Sequence, residues 1–151
     1  MIRAEQLVTK HGPAVGATMS QPLDHLVACH RRIEEQLDGL ERAARNLEIR
    51  REAALEVIGN CFRFLASNGA WHTADEEEGV FPRLLGRITD EESRFIRDLE
   101  SDHRDVEKLL EELETLHPLL AACGEDKSET VRRFRLGVAT LCAAYRTHIA
   151  K

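Results

Sequence analysis

The chain has 151 residues, enough for one domain with a sizeable core and too few for two of ordinary size. Apolar residues make up 42% and charged ones 32%, and no apolar run approaches the ~20 residues of a membrane span, which excludes a collagenous or membrane-spanning chain. Lys and Arg number 21 against 27 Asp and Glu, so the net charge of −6 disfavours nucleic acid as a partner and favours cations.

The first twenty residues carry Arg3, Glu5 and Lys10 and lack the apolar stretch of a secretory signal, so a cytoplasmic location is expected. Glycine and proline in this stretch mark residues 1–21 as a loosely attached arm, with residues 22–151 as the folded domain. Cys29, Cys61, Cys123 and Cys142 form no C-x-x-C pair and read as reduced thiols in a helical core.

From Pro22 to Asn46, Leu23, Leu26, Val27, Ile33, Leu37 and Leu40 recur at three and four, the period of an amphipathic helix, and Leu47 continues the stripe. A second helix is predicted from Ile49 to Val80 through Leu55, Ile58, Cys61, Phe62 and Leu65. Phe81-Pro82 should stop it, because proline disfavours helix in the residue before. Ser67-Asn68-Gly69 predicts a kink or short break inside it. Thr89 and Glu92 form a capping box that opens a third helix with the stripe Phe95, Ile96, Leu99, Val106, Leu110 and Leu113, running to about His117 and closed by Pro118 or Gly124. Ser128 caps a fourth, with Phe134, Val138, Leu141 and Tyr145 on one face. No alternating strand pattern and no internal repeat is present, so the expected fold is all-α, an antiparallel up-down four-helix bundle.

Each predicted helix carries one histidine on its apolar stripe. His30 lies between Leu26 and Ile33, His103 between Leu99 and Val106, His72 seven residues after Leu65, and His148 three after Tyr145. A single inward histidine is ordinarily a core residue satisfied by one hydrogen bond; four of them, one per helix, call for more. At 1.5 Å per residue, His30 falls roughly 12 Å from the start of the first helix, His72 roughly 10 Å from the end of the second, and His103 roughly 20 Å from the start of the third. With alternating helix direction these depths, and that of His148, agree within the error of the boundaries. A buried layer of imidazoles suits a metal ion better than water.

Carboxylates one turn away extend the pattern: Glu76 follows His72 by four and Glu107 follows His103 by four, so each pair can face one cation. Of the run Asp75-Glu76-Glu77-Glu78, Glu76 has the best geometry, since neighbours in a helix face different ways. Glu34, although four after His30, reads as a solvated flank residue, and Glu107 reads equally as ligand or surface carboxylate. His11, His25 and His117 read as surface residues, with His25 held in reserve. Two Glu-x-x-His pairs, Glu100 with His103 and Glu114 with His117, both fall on the third helix and cannot build one ferritin-like centre.

The segment HTADEEEGVFPRL, with ACHRRIEEQL, SDHRDVEKLL and AYRTHIAK, resembles the hemerythrin-like, or HHE cation-binding, family over roughly Pro22 to the end. That resemblance implies metal ligands at His30, His72, Glu76, His103 and His148, with Glu107 as a further candidate, around a di-iron centre that is oxo- or hydroxo-bridged. The family's fourth helix supplies a carboxylate four or five residues after its histidine, whereas the sequence here runs three residues past His148, so this ligand is expected to be missing and one iron to be weakly held. Glu107 stands where oxygen-carrying hemerythrins have a second histidine; a carboxylate there stabilises oxidised iron and favours sensing or redox chemistry over reversible oxygen carriage. The expected function is therefore a non-haem di-iron protein that binds or responds to O2 or a related small oxidant. A ferroxidase or peroxide-consuming enzyme, and a metal-free regulatory helical module whose histidines titrate near neutral pH, are the alternatives.

Overall fold

The computed structural model describes residues 20–122 and 128–151. The proposed N-terminal arm up to residue 19, with His11, and the segment holding Cys123 and Gly124 lie outside the described residues. Apart from short turns at 46–50 and 86–89 the described residues are almost wholly helical, with no strand among them.

The first helix spans Ser20–Arg45. The second covers residues 51–85 in five consecutive pieces: an α-helix Arg51–Phe64, a π-helical turn Leu65–Gly69, an α-helix Ala70–Ala74, a second π turn Asp75–Val80, and a last α-helical piece Phe81–Leu85. The third spans Asp90–Ala122 and the fourth Ser128–Ile149. The first packs on the second and fourth, and the third on the second and fourth, so each helix has two neighbours around a common core. That core is mainly aliphatic, with Ile33, Leu37, Leu40, Ile58, Leu113 and Phe134 among its fully buried members. No helix among the described residues is long and apolar enough to cross a membrane.

Caps and inter-helix bonds define the ends. Thr89 donates from its backbone to Glu92 Oε2 at 2.8 Å while the Glu92 amide donates back to Thr89 Oγ1 at 3.3 Å, the capping box expected from the sequence. Arg135 of the fourth helix donates to the carbonyls of Ala44 and Arg45 at 2.9 and 3.1 Å, satisfying acceptors that a helix C-terminus leaves without partners. Gly137 lets the third and fourth helices approach: a Cβ there would lie 2.7 Å from Leu113 Cδ2.

The irregularity expected at Ser67-Asn68-Gly69 is present, and two helix ends differ from the sequence reading. The Ser67-Asn68-Gly69 irregularity is a π turn, stabilised by the Ser67 hydroxyl donating to the Arg63 carbonyl at 2.7 Å. Helix does not stop at Val80. In the second π turn the Phe81 amide reaches back five residues to the Glu76 carbonyl, and Pro82 then sits in the first turn of the last piece, where its missing N–H costs least. The third helix runs through Pro118 to Ala122, because Leu120 is fully buried and its carbonyl accepts from the Arg51 guanidinium. Leu23, Val27 and Phe95, placed on apolar stripes by periodicity, are exposed near the N-termini of their helices.

Candidate metal centre

His30 from the first helix, His72 and Glu76 from the second, His103 from the third and His148 from the fourth meet in one layer. His72, Glu76, His103 and His148 are buried and His30 is nearly so. Atoms of His30, His72, Glu76 and His148 that could bind metal all lie within 4.8 Å of one another.

The Glu76 carboxylate sits at the centre and divides the imidazoles into two pairs. Nε2 of His30 and of His72 lie 3.7 and 3.5 Å from Oε1. Nε2 of His103 and of His148 lie 2.9 and 3.5 Å from Oε2. Within each pair the Nε2 atoms face each other, at 2.9 Å for His30 with His72 and 3.2 Å for His103 with His148. Two ring nitrogens can share only one proton at such a distance, so the pairing leaves lone pairs turned inward.

Several polar atoms here have no hydrogen-bond partner: His72 Nδ1, His148 Nδ1 and Glu76 Oε2. Oε2 lies close to His103 Nε2, but the two are not aligned for a hydrogen bond. A buried carboxylate with an unpartnered oxygen, ringed by convergent imidazole nitrogens, is costly as it stands and fits a bound metal cation. The enclosed space between the imidazoles is about 20 Å³, the scale of one water or ion.

The electrostatics agree. Burial pushes His72 down to about 4, and the other imidazoles add to this against the pull of Glu76, so its ring is neutral and able to ligate. Burial alone would raise the Glu76 carboxyl, but His103, His148 and His30 hold it well below the usual carboxylate range, so it is anionic. For His103 burial is outweighed by Glu76 and Glu77, and the imidazole is shifted upward.

Sequence reasoning misses Glu77 and Asp102. Glu77 Oε1 lies 2.8 Å from His103 Nδ1; a carboxylate only accepts, so Nδ1–H donates to it and Nε2 keeps its lone pair for the centre. Asp102 Oδ2 lies 3.4 Å from His148 Nδ1 and is held by Lys151 Nζ at 2.6 Å. Both acids adjoin a site residue in sequence, Glu76 and His103, and that adjacency is the available signal. The second π turn, one residue wider than an α turn, lets the consecutive Glu76 and Glu77 both serve the site. The same turn carries the helix on to Phe81, whose buried ring stacks parallel to His103 with centroids 6.2 Å apart.

The structure does not bring Glu107 to the cluster. The buried stripe of the third helix runs through His103, Val106 and Leu110, and Glu107, 100° round from Val106, is exposed. His25 is exposed and pairs with Asp75 at 3.3 Å. His117, read from the sequence as a surface residue, is half-buried: its Nε2–H donates to the Leu55 carbonyl at 3.0 Å, and its ring meets the edge of Phe62. Cys61 and Cys142 are buried free thiols and Cys29 is partly exposed, all outside the donor set.

Comparison with known families gives one match: the model of the hemerythrin HHE cation binding domain covers residues 21–151. No curated protein and no solved structure matches the chain.

Proposed function

This chain belongs to the hemerythrin HHE cation-binding domain family, and we propose that it is a cytoplasmic non-haem di-iron protein that responds to O2 or a related small oxidant in a sensing or redox role. The observation that carries this reading is the division of four imidazoles between the two oxygens of one carboxylate. His30 and His72 with Glu76 Oε1 would hold one ion, and His103 and His148 with Oε2 the other, Glu76 bridging them. Short connections at residues 46–50 and 86–89 suit an antiparallel up-down arrangement, which brings inward positions of all four helices to one depth.

A ferrous pair, when bound, supplies reducing electrons and an open coordination position. The protein supplies the rest. Neutral imidazoles and one carboxylate would leave a bound pair cationic; the Glu77 carboxylate fixes the tautomer of His103 and raises its basicity, which would favour the oxidised state of an ion held there. The packed walls, among them Ile33, Val106 and Tyr145, limit entry to small molecules.

The metal-free module fits less well, because it leaves the buried Glu76 Oε2 and the convergent imidazole nitrogens without a partner. Anaerobic reconstitution with saturating ferrous iron tests the proposal: two irons per chain are expected, the one nearer His148 the more weakly held, with the near-ultraviolet bands of a bridged ferric pair after oxidation. Binding of a single ion per chain, or none, would refute it. Turnover of peroxide by the loaded protein would favour the enzyme reading.

A further inference from the structure

A second cavity, about 420 Å³, opens between the second and third helices and shares the walls Gly69, Thr73, His103, Val106 and Tyr145 with the small space among the imidazoles. Its outer wall is acidic: Glu77, Glu78, Glu107, Glu111 and Glu114 line it against one cation, Arg104. Glu107, Glu111 and Glu114 follow one another at four and three along the third helix, where like charges repel. Among the described residues, Glu77 is the one of these five in an ion pair, with His103. A carboxylate ladder faced by one cation opposes helix stability.

A further observation marks the inner end. Tyr145 is 8% exposed, and its hydroxyl has no hydrogen-bond partner among the described residues; burial is the sole cause of its raised pKa. Tyr145 and Gly69 both line the groove and the inner cavity. Gly69, in the first π turn, makes room for the hydroxyl: a Cβ at this position would lie 3.1 Å from Tyr145 Oη.

We propose that this groove is the route by which divalent cations reach the imidazole cluster, with Glu107, Glu111 and Glu114 drawing them from solvent and the Gly69–Tyr145 neck admitting them beside His103. The inference rests on the reading of the cluster as a metal centre. It also gives Glu107 a part outside the ligand set. A low-dielectric groove lined by one sign of charge concentrates counter-ions and raises the association rate while leaving the final site intact.

Mixing apo protein with cobalt(II), followed by the absorbance of the bound ion, tests the route. E107Q/E111Q/E114Q should load about tenfold more slowly than the parent at low ionic strength, with the gap closing at high salt and with unchanged final stoichiometry. E52Q/E56Q/E91Q, an equal charge change on exposed residues off the groove, should load at the parent rate. Gly69→Ala should slow loading at every ionic strength, because it narrows the neck without changing charge. A groove triple variant that loads as fast as the parent, or both triple variants slowed equally, would overturn the route while leaving the metal centre standing. A parent protein that takes up no cobalt would overturn both.

Discussion

Replacing Glu77 by Gln isolates one hydrogen bond on one side of the centre. His103 Nδ1–H donates to Glu77 Oε1 at 2.8 Å, short for a nitrogen–oxygen pair and assisted by the carboxylate charge. Gln keeps an acceptor of the same reach and removes the charge, so the bond is weakened but remains. Outer partners of ligating histidines typically contribute 10- to 100-fold in metal affinity, which is about 1.4 to 2.7 kcal/mol. The Glu77 side chain is 35% exposed and partly screened by solvent, which places the Gln variant near the tenfold end and Ala nearer the hundredfold end. Anaerobic competition against a chromophoric chelator resolves the two ions. The step belonging to His103 and His148 should weaken about tenfold, while the step belonging to His30 and His72 should hold, since Glu77 makes no contact with either. Equal weakening of both steps, or of neither, would show that Glu77 does not act through His103.

His72→Ala should remove most of the bound metal, because it deletes a donor from the Oε1 side and leaves Glu76 as a buried anion with less compensation. His117→Ala should leave metal content unchanged but lower stability in denaturant titrations by about 1 kcal/mol, through loss of the bond to the Leu55 carbonyl; equal metal content in the two variants would refute the site. The apo protein should unfold in alkali: burial pushes the Cys142 thiol from 9.0 up to about 12 and the Tyr145 phenol from 10.0 up to about 12. Above pH 9 the unfolded chain releases protons that the folded chain retains, so stability is complete below pH 9 and falls as pH rises to 12, by about 4 kcal/mol from the thiol and about 3 from the phenol. Phenolate absorbance of Tyr145, the one tyrosine in the chain, should then rise together with loss of helix; phenolate formation near pH 10 in an intact helical protein would contradict this.

The helices are legible in the sequence because burial in a bundle imposes a period of 3.6, which Ile33, Leu37, Leu40 and Ala44 obey in the first helix and Val106, Leu110 and Leu113 in the third. The inward histidines are legible by the same rule, since each replaces an apolar residue on such a stripe and His72, His103 and His148 are buried with it. Periodicity fails where the backbone leaves the α geometry. The local cost of Pro82 predicts a stop, and that of Pro118 one of two ends for the third helix, but tertiary burial of Phe81 and Leu120 outweighs it and both helices run on. Side chains that act across helices are equally hidden: the Leu55 carbonyl that receives His117 is 62 positions away, and nothing near His117 in sequence announces it.

The π turns explain the most consequential gap. In a regular α-helix, consecutive residues diverge by 100°, which is why one carboxylate of the acidic run stands out from the sequence. The wider turn at Asp75–Val80 relaxes that rule: Glu76 lies among the four imidazoles while Glu77 reaches the outer nitrogen of His103, so one short segment furnishes both the central anion and a partner for the ring it faces. The other π turn, Leu65–Gly69, places Gly69 against the Tyr145 hydroxyl on the wall of the acidic groove. Both irregularities fall on the helix that carries His72 and Glu76, and each shapes one boundary of the same cavity. A variant that restored α geometry by deleting one residue from the second turn would rotate Phe81 off its stack with His103. The two departures from the helical period thus add Glu77 and the Gly69–Tyr145 contact to a set of inward imidazoles that the period itself makes readable.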